Sequence, residues 1–113
     1  MNYYEHTFIT RQDSSEEQNK KTLEKYEKMI NSNEGKVLKT ETWGLRNLTQ
    51  KIKNNRKGFY FHIKFEGIGQ TIDKLEKSEN IDELLLRYLT VKVKNLDLKT
   101  NYFAKSDYIN EKK

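Results

Sequence analysis

Apolar and polar side chains alternate one by one between Gly58 and Glu66, and this stretch restricts the fold more than any other part of the chain. The apolar set is Phe59, Phe61, Ile63 and Phe65, and the residues between them are Tyr60, His62 and Lys64. Successive side chains of a strand point to opposite faces of its sheet, so the pattern predicts a strand with one face in the core. The fold must therefore contain a sheet that is covered on one side.

The same periodicity predicts three more strands, over residues 3–9, 36–48 and 86–94. Gly44 is expected to form a bulge in the second of these, because glycine inside a strand pattern commonly marks a break in regular pairing. A turn region predicted over 51–58 joins this strand to the one that follows Gly58. Together they form a long hairpin.

Two helices are predicted between the strands. The first follows Asp13-Ser14-Ser15, where Ser14 and Glu17 have the spacing of a capping box, and it ends at Asn33-Glu34-Gly35. Its apolar residues recur at helical intervals and are Leu23, Tyr26, Met29 and Ile30. The second helix follows Gly67 and ends near 78–80. Its apolar residues are Ile68, Ile72 and Leu75.

The predicted order of elements is β-α-β-β-α-β, the order of a ferredoxin-like sandwich. In this α+β fold, two split β-α-β units build a four-stranded antiparallel sheet with two helices on one face. The first and third strands lie side by side in the centre of the sheet. We expect one ferredoxin-like domain over 1–94 and a polar C-terminal tail over 95–113.

The alternation also assigns side chains to the two faces of the sheet. His6 shares its parity with Phe8 and is expected under the helices, whereas His62 is expected on the opposite face, here called the helix-free face. The residues of the last strand that are expected to point inward are Leu89, Val91 and Val93. The residues expected on the helix-free face are Tyr3, Glu5, Thr7, Tyr60, His62, Lys64, Tyr88, Thr90, Lys92 and Lys94.

Positive charge is concentrated between Lys36 and Lys64. That segment holds eight lysines and arginines against one acid, Glu41, although the whole chain carries a net charge of only +5. Residues 65–91, by contrast, hold three cations and six acids. Aromatic side chains are interleaved with the cations, and a basic, aromatic segment of this kind is typical of a surface for a polyanion, most simply a nucleic acid.

Several classes of function are not expected. The chain has no cysteine, so neither a disulfide framework nor a thiolate metal site is available. No apolar run exceeds Leu84-Leu85-Leu86 and no signal-peptide pattern is present, so a cytoplasmic protein without a membrane partner is expected. The two histidines are expected on opposite faces, and no nucleophile motif or phosphate-binding glycine loop appears. We therefore expect no enzyme, no cofactor and no metal. The hypothesis of a catalytic or metabolite-sensing ferredoxin-like domain would require convergent polar groups that the sequence lacks.

Aromatic and basic side chains on an uncovered four-stranded sheet resemble the surface on which RNA-recognition modules stack unpaired bases. Lys57-Gly58-Phe59-Tyr60-Phe61 matches the consensus of those modules only in part. A free-standing module that binds single-stranded RNA is therefore one hypothesis. Packing of the same face against another protein is a second.

Several short motifs fall in order along residues 2–94 and carry a resemblance to a known family. They are Tyr4-Glu5, Gly35-Lys36-Val37, Trp43-Gly44-Leu45-Arg46-Asn47-Leu48, Ile52-Lys53, Gly58-Phe59-Tyr60 and Arg87-Tyr88-Leu89-Thr90-Val91-Lys92. The chain resembles the bacterial family of small (30S) ribosomal subunit protein six. It departs from the family at Thr49-Gln50-Lys51, where Ala-Tyr-Pro is common, and at Asn2, where Arg is frequent.

The resemblance implies a structural constituent of the small ribosomal subunit rather than an enzyme. Such a protein is expected to bind the central domain of small-subunit ribosomal RNA together with ribosomal protein eighteen during assembly. The cations near the hairpin and the last strand are then expected to contact RNA: Arg46, Lys51, Lys53, Lys57, Arg87, Lys92 and Lys94. The residues expected to contact the protein partner are Tyr3, Glu5, Tyr60, His62 and Tyr88.

Overall fold

The computed structural model describes residues 2–95, which form a four-stranded antiparallel sheet and two helices. The elements are β1 (Asn2–Arg11), α1 (Glu16–Ser32), β2 (Lys36–Ile52), β3 (Asn55–Gly67), α2 (Gly69–Asn80) and β4 (Leu85–Val93). The strand order β2-β3-β1-β4 confirms the predicted ferredoxin-like sandwich, with β1 and β3 in the centre. Apart from Asn95, the predicted tail over 95–113 lies outside the described residues.

Alternate residues of β1 point into the core, as the sequence pattern predicts. Phe8 is fully buried, and its ring stacks on Phe61 at 5.1 Å and meets the edge of Tyr26 of α1 at 5.4 Å. Because β1 and β3 run antiparallel in register, their inward side chains face one another directly and form one layer under the helices. The buried apolar cluster consists of Tyr4, Phe8, Tyr26, Ile30, Phe61, Ile63, Phe65, Leu75 and Leu85.

A polar contact crosses this apolar core. His6 on β1 is fully buried, and its Nε2 lies 2.6 Å from Oε2 of Glu79 near the end of α2. Its Nδ1 lies 2.6 Å from the Thr90 hydroxyl on β4. Burial raises the pKa of the Glu79 carboxyl above its ordinary value, although the hydrogen bond to His6 works in the opposite direction. The imidazole therefore joins β1, α2 and β4 at one point.

The start of α1 differs by one residue from the sequence prediction. Ser15, not Ser14, is the N-cap, and its hydroxyl accepts from the Gln18 amide while the Gln18 side chain accepts from the Ser15 amide. Ser14 is drawn into the preceding turn instead, because its hydroxyl donates to the carbonyl of Arg11 at 2.7 Å. The capping box is thus real, but its partners are Ser15 and Gln18.

The predicted faces of β4 are wrong. Phe8 pairs with Tyr88 and His6 with Thr90, so Tyr88 and Thr90 lie on the helix side, and Lys92 does so beside Tyr4. Leu89 and its alternating apolar neighbours lie on the helix-free face instead. The physical reason is that Tyr88 packs against the core and Thr90 supplies a hydrogen-bond partner for buried His6. The pairing of β1 with β4 shifts between Ile9 and Thr10, where Leu86 is an extra residue in β4, so Leu85 and Leu86 are both buried before this alternation begins.

The hairpin between β2 and β3 is longer and tighter than predicted. Both strands extend to a two-residue turn at Lys53 and Asn54, whose φ angles of 46° and 66° are those that a type I′ hairpin turn requires. The predicted bulge at Gly44 is confirmed. Gly44 has a φ of 81°, and the pairing of β2 with β3 shifts between Thr42 and Gly44.

Lys53→Asn should stabilise the protein. Lysine rarely adopts a positive φ, whereas asparagine does so several times more readily, so the change should raise the free energy of unfolding by about 0.5 kcal/mol. Urea unfolding measures it. Lys51→Asn is the matched control, since it removes the same charge from an exposed strand position without a positive φ. Equal effects of the two changes would contradict the assignment of strain to the turn.

Candidate functional site

The helix-free face is organised as four rows that run from β3 across β1 to β4. Beginning at the hairpin end, the rows are Tyr60–Ile9–Arg87, His62–Thr7–Leu89, Lys64–Glu5–Val91 and Glu66–Tyr3–Val93. Strand pairing fixes each row, because directly opposed residues of antiparallel strands share a face. The character of the face therefore changes along the strands, from the hairpin end to the end where β4 finishes.

The β4 side of this face carries exposed apolar side chains. Leu89 is 63% exposed and Val91 46%, and Tyr3 on the adjacent β1 is 37% exposed. Single exposed apolar residues are ordinary, but three neighbours on paired strands form a contiguous patch. This patch consists of Tyr3, Leu89 and Val91 and is here called the apolar patch. Its character is that of a surface that contacts another protein.

The β2 side of the same face is buried and polar. The rings of Trp43 and His62 stack at 5.2 Å, and Trp43 Nε1 donates to Glu41 Oε1 at 3.3 Å. Lys64, only 1% exposed, holds its Nζ 3.5 Å from the second carboxylate oxygen of Glu41. Trp43 shares the parity of Glu41, which pairs with His62, so Trp43 lies on this face; the bulge changes the parity of β2 only from Gly44 onward.

His62 sits between two polar partners at the centre of the face. Its Nε2 lies 3.1 Å from Glu5 Oε1, and its Nδ1 lies 2.8 Å from the Thr7 hydroxyl. With the proton on Nε2, the ring donates to Glu5 and accepts from Thr7. Burial lowers the pKa of His62 below its ordinary value, and the hydrogen bond to Glu5 opposes that shift.

The tip of the hairpin is fixed to the loop that precedes α1. The side-chain oxygen of Gln12 accepts from the backbone amides of Arg56 and Lys57 at 3.3 and 3.2 Å. The backbone amide of Gln12 in turn donates to the side-chain oxygen of buried Asn55 at 3.0 Å. Three hydrogen bonds thus hold a cationic tip in a defined position relative to the sheet.

A cleft of about 200 Å³ opens beside the first row of the helix-free face. Its lining consists of Ile9, Leu48, Thr49, Gln50, Ile52, Tyr60 and Arg87. Burial raises the pKa of the Tyr60 phenol, while the nearby guanidinium groups of Arg87 and Arg46 act to lower it. The Nε of Arg46 also donates to the Trp43 carbonyl at 3.2 Å, which ties this cation to the bulge.

Comparison with known proteins decides the family. Residues 3–92 match the family described as Ribosomal protein S6. The small ribosomal subunit protein bS6 of Pelagibacter ubique is 53% identical over 112 residues, which cover 99% of this chain and 93% of that protein. This chain belongs to the ribosomal protein S6 family.

Further similarities agree with membership of the S6 family. The bS6 protein of Caulobacter vibrioides is 41% identical over 98 residues, covering 87% of this chain and 78% of that protein. The crystal structure of 30S ribosomal protein S6 from Thermotoga maritima superposes with a TM-score of 0.77 at 24% identity, covering 99% and 98% of the two chains. At that identity the superposition shows the fold.

As a member of the S6 family, the chain is a structural, non-enzymatic component of the small ribosomal subunit and is associated with the ribosome. Within residues 2–95, no helix is both long and apolar enough to span a membrane. In the same range, histidine and carboxylate side chains do not assemble into a group of three or more that could hold a metal ion.

The structure brings together some of the predicted site residues and separates others. Tyr3, Glu5, Tyr60 and His62 all lie on the helix-free face, as predicted. Tyr88 does not, because it packs on the helix side against the core. Its predicted place on the helix-free face is therefore wrong.

Among the predicted RNA-binding cations, Arg46 and Arg87 flank Tyr60 at the hairpin end of the helix-free face. Three more cations of this predicted set are exposed on the hairpin arm, the part of the β2–β3 hairpin over residues 45–58: Lys51, Lys53 and Lys57. Lys92 is exposed, but its pairing with Tyr4 puts it on the helix side rather than on the predicted face. Lys94 is exposed just beyond the end of β4, and its predicted place on the helix-free strand face is likewise not realised.

Sequence reasoning did not identify Gln12 and Asn55, which position the hairpin tip. They are 43 residues apart in the chain, and neither belongs to a recognisable motif. In the sequence, Glu41 stands out only as the single acid of a basic segment, although in the structure it pairs with buried Lys64. Its isolation among cations was the one available signal.

Glu5→Gln should lower the pKa of His62 further, because the carboxylate that favours the protonated ring would be lost. Titration of the imidazole by NMR measures this. Since the folded-state pKa of His62 already lies below 6.5, its contribution to stability is present above about pH 6.5 and is lost as the pH falls through the folded pKa. Glu66→Gln on the same face is the control. A His62 pKa above 6.5 in the parent protein would refute the argument.

Proposed function

We propose that the protein binds the central domain of small-subunit ribosomal RNA together with ribosomal protein eighteen during assembly of the subunit. Membership of the S6 family supports the subunit role, and the layout of the sheet supports two partners. The observation that carries the proposal is the separation of a cationic hairpin arm from the apolar patch on one molecule.

The hairpin arm has the charge of an RNA-binding surface. No acid occurs between Glu41 and Glu66, so every charged residue in the distal half of β2, the turn and most of β3 is a cation. The exposed cations at the tip are Lys51, Lys53, Arg56 and Lys57. Phosphate contacts from such residues position a protein on RNA without reading its sequence. The hydrogen bonds of Gln12 hold the tip in place, which lowers the entropic cost of binding.

The apolar patch has the character of a protein interface. Leu89 and Val91 are more exposed than side chains of their kind usually are in a small domain, and they adjoin Tyr3. Interfaces combine such an apolar centre with a polar rim, which Glu5 and Glu66 can supply here. A protein that covered the patch would leave the hairpin arm accessible to RNA.

The alternative of a free-standing module that binds single-stranded RNA loses support. That hypothesis required Tyr60 and Tyr88 to form a stacking platform on one face. Tyr88 lies on the opposite face and contributes to the core. Only Tyr60 is left of the two, and base stacking by single-strand binders usually uses several aromatic residues along the strand.

Lys53→Ala and Lys57→Ala should each weaken binding to the complex of RNA and protein eighteen and should reduce the slope of log K against log salt by about 0.7–0.9 per lost phosphate contact. Lys92→Ala and Lys94→Ala should show the same behaviour, because both cations are exposed at the end of β4. Filter binding across a salt series measures the slope. Lys74→Ala, on the exposed surface of α2, is the control with the same loss of charge.

An unchanged salt slope in all four variants would refute the assignment of these cations. The dependence on a partner is tested separately, by measuring binding to the RNA with and without protein eighteen. Tight binding of the chain alone to short single-stranded oligonucleotides would favour the alternative function.

A further inference from the structure

We propose that the cleft beside Tyr60 binds a single unpaired nucleotide of the RNA, with its base against Tyr60 and Ile9 and its phosphate against Arg87. The inference rests on the proposed function, because it takes RNA as the ligand of the hairpin end. It adds a defined pocket to a surface whose other contacts are to phosphates. It also divides the helix-free face between RNA at one end and protein at the other.

The cleft is built by a departure from regular strand pairing. From Asn47 to Ile52, β2 advances five residues, while the paired stretch of β3 from Lys57 to Asn55 advances two. β2 therefore has a surplus of three residues here, and Leu48, Thr49 and Gln50 of this stretch line the cleft. Bulges of this size re-aim side chains, and here they close one side of a pocket over the first row of the face.

The lining of the cleft matches a nucleotide in both charge and polarity. Arg87 is exposed, and no acid is among the lining residues, so the pocket favours an anion. Tyr60 offers an aromatic ring and Ile9 an apolar floor. Thr49 and Gln50 bring a hydroxyl and an amide, which can donate to and accept from the edge of a base.

The size of the cleft limits the ligand to one ring system. At about 200 Å³ it is smaller than the roughly 300–1,000 Å³ typical of sites for drug-sized molecules. An unpaired base that has left its stack is the form of RNA that proteins read in such pockets.

The two ends of the face differ in the way that two partners require. Tyr60 and Arg87, in the first row, mark the RNA end. In the apolar patch, Val91 lies two rows and Tyr3 three rows from them, and all three side chains of the patch are uncharged. The prediction that Tyr60 contacts the protein partner is thereby replaced by a role in the RNA pocket. His62, one row further along, lies at the boundary between the two ends.

The test uses the full chain and the four ribonucleoside 5′-monophosphates, followed by NMR. We expect at least one of them to shift the resonances of Ile9, Tyr60 and Arg87. Arg87→Gln should weaken the affinity about tenfold, in keeping with loss of one charge-assisted contact, and Tyr60→Leu should weaken it by a similar factor. Lys74→Gln, which removes a charge from the exposed surface of α2 outside the cleft, should leave the affinity within about twofold.

Three results would overturn the proposal. They are an absence of shifts at the cleft, inorganic phosphate binding there as tightly as the nucleotides, and protein eighteen protecting Tyr60 and Arg87 while the RNA does not. Val91→Asp, two rows from Arg87, separates the two ends, since it should prevent binding of protein eighteen and leave nucleotide binding intact. If cleft variants bind the RNA–protein complex normally while variants of the hairpin cations do not, only the cleft assignment fails. If neither set matters, the proposed function fails with it.

Discussion

The central position of β1 is the constraint on which the rest of the structure depends. It pairs with β3 on one side and β4 on the other, so its inward residues build the core and its outward residues link the rows of the helix-free face. His6 is the one charged or imidazole side chain in the inward set of β1. A buried imidazole must find partners, and its contacts to Thr90 and Glu79 bind the edge strand and the second helix to the central strand. A shift of β4 by one residue would break the contact to Thr90 and expose Tyr88.

This dependence explains which parts of the fold follow from the sequence. The strict alternation in β3 and the order of elements were sufficient to predict the sheet, its topology and the two helices. The alternation of β4 was misleading, because its apolar residues are the exposed ones. Leu89 and Val91 lie exposed on the helix-free face, whereas the pattern predicted them to be buried under the helices. What decides the register is the pairing of Thr90 with His6, and two polar residues 84 positions apart carry no local signal.

The candidate site was predictable to a similar extent. The positive segment and the resemblance to a ribosomal family located the hairpin, and the helix-free face follows from the fold. The geometry of the arm could not be read in the same way. Its tip is set by Gln12 and Asn55, and its cleft by a surplus of three residues in β2. Tertiary hydrogen bonds and extra residues in a strand depend on which segments pair in the fold, so neither segment shows them as a periodic sequence pattern.

The separation of the hairpin tip from the apolar patch has a consequence for assembly. The exposed cations Lys51, Lys53, Arg56 and Lys57 lie at the tip, and the apolar patch lies on β1 and β4, so two partners can occupy one rigid sheet without competing for the same atoms. Under the proposed function, the protein held at the apolar patch also contacts the RNA. Its own affinity for the RNA then strengthens the binding of the whole complex through effective concentration, without new contacts by this chain. The modest number of cations at the tip is then sufficient, since each partner makes the binding of the other intramolecular. The arm needs only to be held in position, which the hydrogen bonds of Gln12 accomplish.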